Sequence, residues 1–424
     1  MKHLIPIAIF VVLFFLVYSI VVSAYSSMWR EGVIWGSTLE EAEFYAGLFA
    51  ILHDAIGILL VIPLALIIDR LGRLQTLASL GLALGVVNIL IGAVNDYISL
   101  LILHGLQGLF QLAMTLVIMV IIADTLVEFN RALGYATYYA SAVLGYPLGI
   151  VVGTTIYWRI GYALFGSIIA MASVAAFASI FLPIKGSSLL RVLTERTRYS
   201  ISLGIKDISS KTALAIWIII FFWGIPWGAV SAYAITYFRD VWRFSETIAT
   251  ILALIGSLSM VVGHFVGGWL SDRGVKMGDP MSRVKIPTYG LVIGLISMLA
   301  IVAYPAFISD INSETSPHLY VAFILSAIGM LFTTIPYSSY AAILSEIVST
   351  KFRALAFGIY MMASGLGWAL GPFLYSHLKD IISPLYAMTL IVSTWIIPLA
   401  ILRKIVSKHY LSDRLPGGGS MEQS

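Results

Sequence analysis

The sequence contains no cysteine and very little charge. Without cysteine there is no disulfide, no thiolate metal site and no cysteine nucleophile. Lys, Arg, Asp and Glu supply only 11% of its 424 residues, against roughly 25% in an ordinary globular chain. Hydrophobic residues make up 60%, and the mean hydropathy is +0.96. So few charges cannot keep so much apolar side chain in water. A soluble enzyme, a disordered chain and a nucleic-acid binder are excluded, although the isoelectric point is near 9.0. Strand-like alternation over about ten residues is missing too, which argues against a membrane barrel. No His-rich cluster, paired carboxylates or Walker signature is present, so no metal, cofactor, nucleotide motor or enzyme activity is expected.

What remains is an all-α integral membrane protein. A hydrocarbon core about 30 Å thick needs roughly 20 apolar residues per helix, and twelve such runs are found: 4–28, 44–68, 74–95, 98–126, 132–157, 160–182, 212–238, 246–271, 286–308, 318–345, 354–377 and 384–402. The first is too long for a cleaved signal and reads as a helix. With an even number of spans both termini lie on one side. If that side is cytoplasmic, the outer loops hold only Arg30, Arg159, Arg239, Arg243 and Lys379 of the 25 Lys and Arg, and the other twenty lie inside. That excess sets the orientation: a multi-pass protein of the cell membrane, both termini cytoplasmic.

Residues 1–182 and 212–405 read as two six-helix bundles. A basic cytoplasmic connector, 183–211, joins them, and 406–424 reads as a flexible cytoplasmic tail. The halves repeat each other. Asp124 precedes Arg131-Ala132-Leu133 by seven residues, and Glu346 precedes Arg353-Ala354-Leu355 by seven. At the same offset of 222, Gly145-Tyr146-Pro147-Leu148-Gly149 falls on Gly367-Trp368-Ala369-Leu370-Gly371. Asp69-Arg70-Leu71-Gly72-Arg73 after span two corresponds to Gly268-Trp269-Leu270-Ser271-Asp272-Arg273 after span eight. Duplication of this kind is the mark of a transporter.

At these residues the chain resembles the major facilitator superfamily over essentially its whole length. Asp69 to Arg73 and Gly268 to Arg273 look like that family's loop 2–3 signature and its second copy. Leu101 to Gly108 is similar to the span-four motif, with His104 where the family usually has arginine. Ala65 stands where the first motif usually begins with glycine, which suggests looser packing of spans two and eleven. The resemblance implies a twelve-helix fold of two pseudo-symmetric bundles around a central cavity, lined mainly by spans one, four, seven and ten. It also implies a cytoplasmic gate of Asp69, Arg70, Gly72, Arg73, Asp124, Arg131, Asp272, Arg273, Glu346 and Arg353. Asp69 would cap the start of span eleven, and Arg70, Arg73 and Arg353 would pair with Glu346, Asp124 and Asp272.

An ionisable residue at bilayer depth costs at least ~2.5–3.5 kcal/mol unless it faces protein or water, so each is a functional candidate. His53 and Asp54 on span two are the sharpest, because a carboxylate that changes charge between access states is what proton coupling requires. A hydrogen-bonded structural aspartate is the alternative. His104, Gln107, Gln111 and Thr115 form one stripe on span four, facing a cavity if they contact substrate or proton, or buried structurally if they do not. His264 has no matching stripe and reads as structural. Tyr18, Trp223, Trp227, Tyr233, Thr333, Tyr337 and Tyr340 complete the cavity candidates, with Gly224, Pro226 and Gly228 suggesting a kink or break in span seven. Against this stands ordinary packing between helices. No Lys or Arg falls in the middle of a span, so a multiply charged anion would lack its partner. The expected cargo is a neutral polar solute, an amphipathic compound or a monocarboxylate. The function expected is a monomeric, proton-coupled secondary transporter such as a symporter; a passive facilitator, a proton/drug antiporter and a non-transporting sensor are the alternatives.

Overall fold

The computed structural model describes residues 4–181, 201–308 and 317–415. All regular structure among them is helical. The first half contains α1 (Leu4–Arg30), α2 (Leu39–Ile68), α3 (Arg73–Ala93), α4 (Tyr97–Thr125), α5 (Arg131–Thr155) and α6 (Trp158–Phe181). A short α7 (Ile201–Ile208) leads to α8 (Lys211–Asp240), α9 (Glu246–Lys276), α10 (Ser282–Ala303), α11 (Pro317–Ile347) and α12 (Arg353–Ile382). The last span is built from α13 (Pro384–Ser393), α14 (Ile396–Ile401), a π-helical turn at Leu402–Val406 and α15 (Ser407–Asp413). Twelve segments are long and apolar enough to cross a membrane, at the places the apolar runs indicate. The connector expected at 183–211 lies largely outside the described residues, as does the tail beyond Leu415.

Several helices start where a side-chain oxygen can take an otherwise unpaired amide. Thr38, Asp96, Ser210 and Ser245 accept from the backbone N–H of Glu41, Ser99, Ala213 and Ile248, a cap typically worth ~1 kcal/mol. Each half pairs its helices in the same way: α1 on α5, α2 on α4 and α3 on α6 in the first, α8 on α12, α9 on α11 and α10 on α13 in the second. The halves meet crosswise, α2 against α12 and α5 against α9.

The repeated glycines explain one pairing. A Cβ on Gly149 would stand 2.3 Å from the Leu16 carbonyl oxygen, and one on Gly371 would stand 2.1 Å from that of Ile225. The repeat therefore lets α5 touch α1, and α12 touch α8, backbone to backbone. Two expectations are corrected here. Helix α8 is not broken at Pro226 but continues through it, and Gly224 and Gly228 pack it closely against Ser364 and Trp368 of α12. Spans two and eleven are not loosely packed at Ala65: the small partner is on the other helix, where a Cβ on Gly358 would lie 2.9 Å from the Ala65 methyl.

Candidate functional site

Three layers of polar and aromatic side chains stand out, the first two where the halves meet and the third within the first half. The first is a charged latch at the end that carries the 2–3 and 8–9 loops. Asp69 accepts from the amides of Ala354 and Leu355, both at 2.9 Å, and so caps α12 of the other half. Asp272 does the same for α5, accepting from Ala132 at 3.1 Å and Leu133 at 2.7 Å. Each carboxylate satisfies two amides at a positive helix end. Burial pushes the Asp69 carboxyl up to about 7, with Arg73 and the two amides pulling the other way.

Arginines stitch the caps to the acidic ends of α4 and α11. Arg353 donates to Asp124 at 2.5 Å and to the Ala123 carbonyl at 3.1 Å. Arg73 reaches Asp124, Asp69 and the Thr350 carbonyl. In the second half, Arg283 donates to Glu346 at 2.9 Å, Asp272 at 2.6 Å and the Glu128 carbonyl at 2.5 Å. Thr350 and Glu128 are themselves separated by the 222-residue repeat. Arg131 donates to the Leu126 carbonyl and lies in the field of Glu346. Gly72 is buried at the start of α3.

The cap by Asp69 agrees with expectation; the arginine assignment needs correction. Arg70 is exposed, and Arg273 is exposed over the Trp269 ring at 5.2 Å. Asp272 pairs with Arg283, as does Glu346. The second-half arginine on Asp272 comes eleven residues after it, at the start of α10, whereas Arg73 follows Asp69 by four. The C-terminal segment joins the same network. Tyr410 donates to Glu346, the Leu415 amide donates to the Glu346 carbonyl at 3.0 Å, and Arg414 pairs with Glu128 of the first half. Asp413 accepts from the Thr212 amide and hydroxyl at the start of α8. These contacts correct the expectation of a flexible tail from residue 406: Ser407–Asp413 is helical and the chain is held as far as Leu415.

The second layer lies about 10–14 Å further into the molecule, by the 1.5 Å rise of a helix. Tyr139 of α5 meets Tyr337 of α11 edge-on at 4.3 Å, stacks on His264 of α9 at 5.5 Å and approaches the Tyr360 hydroxyl of α12 at 3.5 Å. Tyr337 shares a hydrogen bond with Ser364, and Trp223 packs beside Tyr337 and Tyr340. Buried polar atoms without a partner among the described residues include Trp223 Nε1, His264 Nδ1 and the Tyr340 hydroxyl here. Tyr139 and Tyr360 were missed because tyrosine in a span has no distinctive spacing; only their convergence across the halves marks them.

The third layer lies about 20–22 Å from the latch, counting 15 residues from Asp54 to Asp69 and 13 from Gln111 to Asp124. His53 Nδ1 is 2.8 Å from Asp54, and Nε2 is 3.3 Å from the Gln111 amide oxygen. Tyr18 stacks on the His53 ring at 4.0 Å, with Tyr146 beyond it at 6.4 Å. Asp54 is electrostatically close to both tyrosines. Its side chain is 59% exposed, so protein does not enclose it.

The span-four stripe divides. Gln111 joins His53, but His104 turns into the first bundle, where it bonds the Leu100 carbonyl and Tyr162 hydroxyl and stacks on Phe49. Gln107 donates to Asn88 at 2.7 Å, and Thr115 accepts from Tyr138. The stripe therefore faces α2, α3, α5 and α6 rather than a space between the halves. In the second half, Trp227 packs on Trp395, Tyr233 on Tyr375, and Thr333 bonds its own helix at Gly329.

Residues 7–408 match the sequence model of the Major Facilitator Superfamily. No curated protein sequence matches the chain. The fold is similar to that of a single-residue variant of the E. coli fucose:proton symporter FucP, with TM-score 0.66 and 12% identity over 94% of this chain and 98% of that one. FucP in the outward conformation gives 0.70 and 12%, over 95% and 99%. The human organic anion transporter MFSD10 gives 0.67 and 12%, over 95% and 99%.

Proposed function

The chain belongs to the major facilitator superfamily, and from that premise we propose that it is a secondary transporter carrying a small organic solute across the cell membrane by alternating access. The coupling ion in this reading is a proton held by His53 and Asp54. The observation that carries it is the pair itself: an ionisable couple at membrane depth, hydrogen-bonded, with the carboxylate side exposed among α1, α4 and α5 residues. A titratable group in that position has a functional default.

The latch supplies the conformational half of the reading. It holds the basic ends of the halves together, and the hydrogen bonds joining the halves run from it as far as Tyr139 and Tyr360. With the basic end cytoplasmic, this is the state closed inward, in keeping with the likeness to FucP in its outward conformation. The cargo meets aromatic rings and unpaired hydrogen-bonding atoms with no Lys or Arg at that depth, which suits a neutral polar solute, an amphipathic compound or a monocarboxylate. Two structural neighbours are described as a fucose:proton symporter and an organic anion transporter; a sugar and a singly charged organic anion fall within that range.

A membrane potential of ~100 mV and about one pH unit provide roughly 2.3 and 1.4 kcal/mol per proton, enough for ~500-fold accumulation. Proteoliposomes given that gradient and a panel of labelled sugars, monocarboxylates and amphipathic cations are expected to concentrate one class, and Asp54→Asn to equilibrate it only. Accumulation that ignores the pH gradient, or that survives Asp54→Asn, would leave a passive or otherwise driven carrier.

A further inference from the structure

We infer that Gln111 is a proton-linked amide switch for His53, showing its carbonyl oxygen to the proton-loaded His53–Asp54 pair and its NH2 group to the pair once the proton has left. This role rests on reading that pair as the proton carrier.

Donor and acceptor parity around the ring is the physical ground for it. The imidazole lies between Asp54 at Nδ1 and the Gln111 oxygen at Nε2. One proton lies between Nδ1 and the Asp54 oxygen, whichever atom holds it. A carbonyl oxygen facing Nε2 requires a second proton there, because two lone pairs cannot bond. In this arrangement the pair carries one proton more than its unloaded form. When the Nε2 proton leaves, with the other proton still shared by Nδ1 and Asp54, Nε2 becomes an acceptor facing the Gln111 oxygen. A buried acceptor left facing another acceptor loses its partner at the full cost of desolvation. Glutamine removes the conflict by turning its terminal amide half a revolution, since that end offers a donor and an acceptor of the same shape.

The surroundings leave the exchange to Gln111. Among the described residues the ring bonds to no group besides Asp54 and Gln111. From α1, Tyr18 covers its face. From α5, Tyr146 interacts with Asp54, and from α4, His104 feels the ring electrostatically. From α12, α2 meets the uncharged Gly358 and Gly365. Close approach of α2 and α4 at Gly108 places Gln111 within reach of the ring. The switch thereby passes the protonation state of α2 to α4, as a positioning residue acting through His53.

The test reads the amide directly. The chain has four glutamines, at 75, 107, 111 and 423, and seven histidines, so side-chain 15N spectra of the full protein in nanodiscs stay simple. Gln111 is assigned by its loss in Gln111→Met and His53 by its loss in His53→Asn. The Gln111 amide signal is expected to change together with the His53 ring signal, to stay fixed in His53→Asn, and to keep following the ring in Asp54→Asn. Gln107, held by Asn88, should stay constant and report that the fold survives. A Gln111 signal that is flat while His53 titrates, or that still titrates without His53, overturns the switch. A failure of pH-driven accumulation in proteoliposomes, with the two signals titrating together, overturns the coupling reading alone.

Discussion

Gly108 and His53 meet backbone to backbone: a Cβ on the glycine would stand 2.0 Å from the carbonyl oxygen of the histidine. Helix α4 can therefore reach the His53 ring only because residue 108 has no side chain. Gly108→Ala forces the helices apart, and overpacking of this kind costs ~1–3 kcal/mol. Its thermal unfolding midpoint should fall, and Gln111 should lose its contact with His53. Gly47→Ala on the same α2, where an added Cβ meets nothing within 4 Å, should leave both unchanged.

The reciprocal caps make a sharper prediction about opening. Asp69→Ala strands the amides of Ala354 and Leu355, and Asp272→Ala those of Ala132 and Leu133. Losing a buried acceptor costs about 1–3 kcal/mol, a factor of roughly ten in the closed-to-open ratio. Since the protein lacks cysteine, a single Ser345→Cys in the latch gives a clean readout. Its maleimide labelling should rise about tenfold with either substitution; an unchanged rate would show that the caps do not hold the latch.

Acid should tighten the same latch. With the latch closed, burial holds the Asp69 carboxyl at about 7; opened to water, it returns to roughly 3.9. The closed state then binds more protons between those values, so it gains as pH falls through 7 and loses that gain as pH rises through 7. Between pH 8 and pH 6 the closed-to-open ratio should grow about tenfold. The cysteine assay should show labelling slowing with acid once rates are corrected for thiolate content, and the slowing should weaken in Asp69→Asn.

Arg283 is buried between Glu346 and Asp272. Arg283→Met leaves two carboxylates without their cation, and breaking a buried pair from one side costs ~3–5 kcal/mol. Loss of folded protein in detergent is the expected result, with little rescue by Arg283→Lys, which lacks the guanidinium fork. Arg273→Met, on the exposed arginine, should behave like the parent.

The spans, the duplication and the first cap were legible because each leaves a local trace: apolar runs, a constant offset and an acidic residue at a helix end. Arg283 left none, since the loop before it breaks the repeat spacing. His104 misled for a different reason. Periodicity assigns residues to a face but does not say what that face meets, and in α4 the polar face meets the rest of its own bundle. Asp54 was found by depth alone, while its exposure depends on which helices pack around α2. The tyrosine layer required both halves in place, because Tyr139 and Tyr337 are nearly two hundred residues apart.

Tyr410, Arg414 and Leu415 tie the end of the last span to Glu346 and Glu128. A reporter fused just after Leu415 would therefore ride on the seam between the halves, so a fluorophore there would sense each turnover. A bulky purification handle joined at the same place would strain that seam, and a flexible spacer would be needed to spare it.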